Sequence, residues 1–183
     1  MVERFETSQW VAYPVELVFA FFANPANLPH LMPPGRKVRM DGARLKPPPS
    51  RPVAADPARR FASIAAGVGS EILISFQPLR WIPKRLKWLA RITEFEWNRY
   101  FCDEQAEGPF VTFRHCHEME AERRDGEEGT RVTDRIAFEL PFRAAGRIGD
   151  LLAQRAMAKL FAFRQKRLPE ILTVAARQAA RRS

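Results

Sequence analysis

Cysteine is scarce in this sequence, and its scarcity excludes two classes of protein. Only Cys102 and Cys116 occur among the 183 residues. Two cysteines are too few for a disulfide scaffold or for a four-cysteine zinc site. We therefore expect reduced thiols and a single domain stabilised by an apolar core, for which this length is sufficient.

Long apolar runs are also missing. The sequence contains no run of about 18 apolar residues, which a membrane-spanning helix would need. Its first residues, Met-Val-Glu-Arg-Phe-Glu, lack the basic and apolar regions of a secretion signal. These absences predict a cytoplasmic protein with no integral membrane association.

Motifs for nucleic acids are absent despite a formal net charge of +9. No zinc-finger spacing, RNA-binding aromatic signature or glycine-rich phosphate loop occurs, so we expect no nucleic-acid partner. The positive charge is concentrated after residue 142, where ten Lys or Arg residues accompany only Asp150 and Glu170. This pattern indicates a solvated helix face with a basic tail at residues 173–183, and the alternative is a weak contact with an anionic surface.

Apolar periodicity predicts seven strands. The alternation typical of strands covers residues 4–13, 37–40, 71–77, 87–97, 99–105, 110–122 and 130–140. Gly108-Pro109 and Asp125-Gly126 supply hairpin turns between the last three strands. Since successive hairpins connect neighbouring strands, we expect an antiparallel meander.

Helical spacing predicts three helices around these strands. The first begins at Pro14 and ends before Asn24, and a second short helix covers residues 25–31. The last covers residues 146–177, and we expect Pro169 to kink it or split off its final turns. No internal repeat or second domain boundary appears, so residues 1–183 are predicted to form one α+β domain.

Residues 43–68 interrupt the pattern of regular elements. Five prolines in this stretch prevent strand pairing and predict a long loop, with one helical turn near residues 61–66. A wider connection is also predicted at residues 80–85, which contain Pro83. Long loops inside compact domains act as lids or binding loops in some proteins and are simply mobile in others.

Alternation within residues 110–122 separates the two faces of one strand. The face predicted to look inward contains Val111, Phe113, His115, His117 and Met119. Alternation on the neighbouring strands adds Phe101, Asp103 and Gln105 on one side and Val132, Asp134, Ile136, Phe138 and Leu140 on the other. Both cysteines fall on the opposite face.

Strand register decides which of these polar side chains meet. Partners on one face of a hairpin differ only by register, so a turn near Gly108 without a bulge places Asp103 opposite or diagonal to His115. A turn near Gly126 likewise brings Asp134 close to His117. The sequence therefore predicts two carboxylate–imidazole pairs on one inward surface, unless a β-bulge interrupts either hairpin.

Four interpretations of these pairs remain open. They form a structural network of buried polar groups, or the polar end of an apolar pocket that orients a ligand. Alternatively, His115 or His117 acts as a catalytic acid or base held by its carboxylate. A metal site of His115, His117 and Asp103 is the weakest interpretation, and we expect neither a metal nor a cofactor.

Aromatic residues are abundant, with 14 Phe and four Trp. Most should belong to the ordinary core, but rings also line apolar ligand pockets. The polar residues predicted to line such a pocket are Asp103, Gln105, His115, His117 and Asp134. The apolar residues predicted to line it are Trp88, Phe101, Phe113, Ile136, Phe138 and Phe161.

The order of predicted elements resembles that of the START-like helix-grip fold, the SRPBCC superfamily. The local sequence resembles its bacterial polyketide cyclase/dehydrase-like or lipid-transport-like branch. The resembling stretches are Trp88-x-x-x-Ile92-Thr93, Phe101-x-Asp103-x-Gln105-x-x-Gly108-Pro109-Phe110, His115-x-His117 and Asp134 ahead of Leu140-Pro141-Phe142. The resemblance covers most of residues 1–170, and it implies a curved antiparallel sheet of about seven strands around a long C-terminal helix.

The resemblance also implies a function. Members of the superfamily bind lipids, polyketides, hormones or other apolar compounds between the sheet and the C-terminal helix, and some cyclise or dehydrate them. We therefore expect this chain to bind a hydrophobic or aromatic small molecule. The alternative is a cyclase or dehydratase with His115 or His117 as acid or base, since a fold does not choose between these functions. Residues 43–68 depart from the family pattern and resemble an insertion at the cavity mouth.

Overall fold

The computed structural model describes residues 2–56, 59–61, 63–78, 84–141 and 146–180. The elements are β1 (Glu3–Val11), α1 (Val15–Phe22), β2 (Arg39–Arg44), β3 (Glu71–Phe76), β4 (Leu86–Glu96), β5 (Tyr100–Glu107), β6 (Thr112–Arg124), β7 (Glu127–Glu139) and α2 (Gly146–Ala180). Two short 3₁₀ helices, Pro25–Leu31 and Pro34–Arg36, lie between α1 and β2. The element order confirms the predicted α+β helix-grip architecture.

The seven strands form one antiparallel sheet in the order β1-β7-β6-β5-β4-β3-β2. Strands β2 to β7 are the predicted meander, and β1 joins it by pairing with β7. Asp125 and Gly126 connect β6 to β7 with φ angles of 50° and 83°, the positive values that a type I′ hairpin turn requires. Strand β2 starts later than predicted and continues to Arg44, because the proline-rich run begins only at Pro47.

Two local predictions were wrong. Val111 precedes β6 and is 56% exposed, because the turn after Gly108 extends to it. The described part of residues 61–66 contains no helical turn; the extended chain there buries Ala66, whose N–H donates to the carbonyl of Ala23 at 3.0 Å. Of the two outcomes predicted at Pro169, a kink or a split, only the split is excluded, because α2 continues through this residue to Ala180. The predicted connection at residues 80–85 and the end of the basic tail lie partly outside the described residues.

The cysteines also differ from the prediction, because Cys102 and Cys116 form a disulfide. The two residues face each other across β5 and β6. Their Cα atoms are 4.1 Å apart, near the spacing of a non-hydrogen-bonded antiparallel pair. Structural disulfides are typical of oxidising compartments, so the two cysteines do not support the predicted cytoplasmic location.

The inner face of the sheet, α1 and α2 enclose two apolar clusters. The buried residues of the large cluster include Val18, Phe19, Phe21, Ile72, Ile92, Phe101, Met119, Val132, Leu168 and Leu172. The buried residues of the small cluster are Phe113, Ile136, Phe138 and Phe161. Both clusters receive strand side chains at period two and α2 side chains at helical spacing, as the sequence pattern predicts.

Helix α2 contacts the rest of the domain along a narrow stripe. Its buried residues, among the side chains described, are Phe161, Arg164, Leu168 and Leu172. Polar contacts hold one side of the helix to β1: Gln154 Nε2 donates to the carbonyl of Arg4 at 2.9 Å, and Gln165 Nε2 donates to Thr7 Oγ1 at 2.9 Å. No described helix is long and apolar enough to cross a membrane.

We expect the disulfide to add about 3 kcal/mol to the free energy of unfolding, because it joins residues 14 positions apart and restricts the unfolded chain. Urea unfolding with and without a reductant measures this contribution. The double variant Cys102→Ser/Cys116→Ser should match the reduced protein and should not respond to the reductant. Detection of two free thiols in the unfolded, unreduced protein would contradict the disulfide.

Candidate polar site

Five ionisable side chains lie at one level of the interior, between the two apolar clusters. We call them the polar layer: Asp103 from β5, His115 and His117 from β6, Asp134 from β7 and Arg164 from α2. All except Asp103 are less than 9% exposed. The layer therefore separates the large cluster from the small one along three strands and the helix.

The register of the strands confirms both predicted pairings. Asp103 is the direct partner of His115 between β5 and β6, and Asp134 is the direct partner of His117 between β6 and β7. Neither ladder contains a bulge. Period-two alternation therefore brings all four side chains to one face of the sheet.

The side chains form one cluster instead of two separate pairs. His115 Nε2 donates a hydrogen bond to Asp134 Oδ1 at 2.9 Å. His117 Nδ1 lies 2.7 Å from the same oxygen, but its orientation does not complete a hydrogen bond. The two imidazole centroids are only 3.9 Å apart, so one carboxylate reaches both rings.

Burial controls the protonation of the two histidines. Burial lowers the pKa of His115, the nearby His117 lowers it further, and the hydrogen bond to Asp134 opposes both effects. Burial also lowers the pKa of His117, against the attraction of Asp134. Since unperturbed imidazoles titrate near pH 6.5, both rings are neutral at pH 7.

The two aspartates have pKa values shifted in opposite directions. Burial of its carboxyl raises the pKa of Asp103. Burial acts in the same direction on Asp134, but the nearby His117 and Arg164 and the hydrogen bond from His115 outweigh it and hold its pKa well below the usual range. Asp134 is therefore the fixed negative charge of the polar layer, and Asp103 is the carboxyl that keeps its proton to higher pH.

Arg164 is the member of the polar layer that the sequence analysis missed. The basic residues of α2 were predicted to be solvated, yet Arg164 is 8% exposed and its Cζ lies 4.7 Å from the centroid of the Phe161 ring. A signal was present in the spacing, since Phe161, Arg164 and Leu168 share one apolar helix face. Other basic residues of α2, such as Lys159 and Arg167, are exposed, so contact with an anionic surface stays a prediction.

A small pocket reaches the polar layer between β1, β7 and α2. Its walls are formed by Gln9, Phe22, Leu31, Val132, Asp134, Arg164, Gln165 and Leu168. Its volume of about 10 Å³ is close to the space of one water molecule. The described residues therefore leave this position closed to a larger molecule in the present conformation.

The predicted aromatic wall surrounds the imidazoles. The ring centroid of Phe101 lies 4.6 Å from that of His117, and the centroid of Phe161 lies 5.8 Å from that of His115. The remaining predicted apolar residues belong to the small cluster or pack against it: Trp88, Phe113, Ile136 and Phe138. These rings exclude water from most of the polar layer.

Gln105 does not join the polar layer. Its Nε2 donates to the carbonyl of Phe110 at 2.9 Å, and its Oε1 accepts from the N–H of Phe110 at 3.2 Å. A side chain at Gly108 would collide with Gln105, since an added Cβ would lie 2.2 Å from Oε1. Gln105 therefore closes the β5–β6 turn, and its amide is engaged there.

Three members of the layer have the chemistry of metal ligands. Asp103, His115 and His117 each offer one ligand atom, and these atoms lie within 4.8 Å of one another. Two imidazoles and a carboxylate suit zinc or iron(II), and Asp134 would orient the imidazoles. However, the guanidinium of Arg164 acts electrostatically on Asp103 and His117, and a fixed positive charge opposes a bound cation.

We expect acidification from about pH 7 to pH 5 to destabilise the fold. The pKa values of His115 and His117 are lower in the folded chain than in the unfolded chain, where imidazoles titrate near pH 6.5. Below that pH the unfolded chain binds protons that the folded chain does not, so the free energy of unfolding falls by up to about 1.4 kcal/mol per pH unit for each ring. The raised pKa of Asp103 acts with the opposite sign.

Urea unfolding across this pH range measures the effect. The variant His117→Gln should show a shallower decline, because glutamine keeps a hydrogen-bonding group but does not titrate. The matched control is His30→Gln, since the ring of His30 is exposed to water in the folded protein as well. A wild-type free energy of unfolding that is constant or rises on acidification would show that the buried rings are not neutral.

Comparisons with known proteins identify the fold. No family model and no curated protein match the sequence. The solved structure of TTHA0849 from Thermus thermophilus has a TM-score of 0.62 at 18% identity, covering 94% of this chain and 99% of that one. XoxI from Bacillus cereus has a TM-score of 0.57 at 13% identity, covering 93% and 95%.

A plant protein has the same architecture. The ginseng major latex-like protein 151 from Panax ginseng has a TM-score of 0.56 at 10% identity, covering 92% of this chain and 96% of that one. Identities this low demonstrate a shared fold, not a shared activity. The chain has the helix-grip fold, in which a curved antiparallel sheet packs against a long C-terminal helix.

Proposed function

We propose that this protein binds one hydrophobic or aromatic molecule, lipid-like or polyketide-like, between the sheet and α2. The observation that carries the proposal is the polar layer, which lies between two apolar clusters and borders the pocket beside α2. Apolar walls with a few convergent polar groups are typical of small-molecule sites. The helix-grip fold supports the proposal, because the superfamily uses the space between sheet and helix for such ligands.

Apolar burial supplies the driving force in this proposal. Removal of apolar ligand surface from water contributes roughly 25 cal/mol per Å². The polar layer contributes orientation, since Asp134 and Arg164 line the pocket and offer an acceptor and a set of donors. The rings of Phe22 and Phe101 next to His117 supply an apolar surface around these groups.

Helix α2 is the element whose movement would admit a ligand. None of the side chains at residues 149–160 is buried, and Leu151 and Leu152 are 49% and 59% exposed. Segments with few buried contacts open at low free-energy cost. The bonds from Gln154 and Gln165 to β1 would keep one side of the helix attached while the other side moves.

Acid–base catalysis is the second candidate function. The observation that favours it is the opposite shift of two carboxyl pKa values, raised for Asp103 and lowered for Asp134, which is typical of acid–base sites. His115 is neutral and held by Asp134, so its ring is able to accept a proton from a substrate. A cyclase or dehydratase acting on a polyketide-like ketone would use these groups.

We expect wild-type protein to bind one molecule of the neutral probe N-phenyl-1-naphthylamine per chain, with an increase in probe fluorescence. The variant Val132→Phe should bind about tenfold more weakly, because the added ring fills the pocket that Val132 lines. The matched control is Val174→Phe, which makes the same change at a position on α2 that is 52% exposed.

Circular dichroism of both variants separates loss of the site from loss of the fold. Val174→Phe should bind the probe as the wild type does. Absence of saturable binding by wild-type protein, or equal binding by a folded Val132→Phe variant, would reject the proposed site. Native mass spectrometry of the purified protein would then show whether any small molecule accompanies the chain.

The catalytic candidate has a separate test, the exchange of the α-protons of 2-tetralone in heavy water, followed by NMR. If the site is catalytic, wild-type protein should accelerate this exchange, and His115→Ala should lower the rate by about a hundredfold while probe affinity is retained. A wild-type rate equal to that of buffer rejects the acid–base function and leaves the binding function in place.

A further inference from the structure

We propose that Arg164 binds the carboxylate of the ligand, so that the natural ligand is a hydrophobic or aromatic carboxylic acid. This inference rests on the proposed function and names the chemical class of its ligand. The feature behind it is a largely buried arginine that lines the pocket and has no ion-pair or hydrogen-bond partner among the described residues.

The contacts of Arg164 are unusual for a buried cation. The residue is 8% exposed, and its described contact is the face of the Phe161 ring, 4.7 Å from Cζ to the ring centroid. Among the described residues, no carboxylate lies within ion-pair distance of its guanidinium, and the side chain takes part in no hydrogen bond. None of its nitrogen atoms is among the fully buried atoms that lack a partner, so the donors stay accessible. Because Arg164 lines the pocket, these donors are available to a polar group of a ligand.

Asp134 does not form an ion pair with Arg164. Its Oδ1 is already shared between His115 and His117 at 2.9 and 2.7 Å. Arg164 therefore interacts with Asp134 only at longer range. The buried Nδ1 of His117 lacks a completed hydrogen bond, although it lies 2.7 Å from Asp134 Oδ1.

The guanidinium of Arg164 favours a ligand that carries a carboxylate. Its planar set of N–H donors matches a carboxylate in two parallel hydrogen bonds, and these charge-assisted bonds strengthen away from water. Arg164 lines the pocket together with Asp134, Gln165 and the apolar Leu168 and Phe22. A carboxylate in this pocket would pair with the guanidinium, and that attraction has to exceed the repulsion from Asp134.

The surroundings of Arg164 also indicate where the apolar part of the acid lies. Phe161, stacked under Arg164, packs against Phe5 at 5.3 Å between ring centroids. Around the small cluster the partly buried side chains are Phe5, Trp88, Phe110, Leu140, Ala153 and Met157. Partly buried rings and a flexible methionine are able to rearrange around a ligand, so the tail is placed against the small cluster.

Matched pairs of acids and amides test the inference. The probes are phenylacetic acid, 1-naphthylacetic acid and decanoic acid, each compared with its primary amide by isothermal titration calorimetry at a pH that ionises the acids. At least one acid should bind the wild type about tenfold or more tightly than its amide, as expected for a charge-assisted pair. In Arg164→Gln the two affinities should become equal, mainly through weaker binding of the acid.

Two further variants control for charge and folding. Arg167→Gln removes a basic residue of the same helix whose side chain is 51% exposed and pairs with Glu170, and it should leave the acid preference unchanged. Arg164→Lys keeps the charge but not the planar donors, so the preference should fall without disappearing. If Arg164→Gln does not fold by circular dichroism, the comparison of Arg164→Lys with Arg167→Gln decides the result.

The outcomes separate this inference from the proposed function. Equal wild-type affinity for every acid and its amide, or an unchanged preference in folded Arg164 variants, overturns the inference. Binding of N-phenyl-1-naphthylamine or of the amides without binding of any acid also overturns it, while the proposed function stands. Absence of binding by all of these probes rejects both.

Discussion

One carboxylate oxygen of Asp134 contacts two adjacent imidazoles, those of His115 and His117, and the interior of the protein is organised around this contact. Asp134 keeps its negative charge because His115, His117 and Arg164 surround it, and the histidines in turn stay neutral because they are buried. Removal of one partner from such a buried set typically costs about 3–5 kcal/mol. The polar layer is therefore important for the stability of the fold, and three strands and one helix contribute side chains to it.

This layer also explains why the core is divided. Charged and hydrogen-bonded groups in the middle of the inner face prevent the rings on either side from joining, so the large and small clusters pack separately. Helix α2 contacts both clusters through one narrow row of buried residues. Arg164 is the member of this row that lies in the polar layer. A ligand site at this level would have charged side chains at its centre, an apolar cluster on either side, and one wall formed by α2, much of which packs loosely on the domain.

Sequence patterns predicted the structure correctly where they act locally. Alternation assigned His115, His117, Asp103 and Asp134 to the inner face, and the hairpin turns placed them in the correct register. Predictions failed where contacts with another segment decided the outcome. Cys102 and Cys116 form a disulfide through cross-strand pairing, and the amide of Gln105 bonds to the backbone of Phe110.

The sequence by itself determined the strand faces, the meander and the position of the helices, because period two, period 3.6 and turn residues act over short stretches of chain. Only the tertiary structure decided that Asp134 serves both histidines and that Arg164 lies beside them. The position of Arg164 depends on how α2 is oriented against the sheet. Packing across the whole interior determines that orientation. A basic residue on an apolar helix face indicates that the residue is buried. The strand residues near Arg164 are distant in sequence, so no local pattern predicts them.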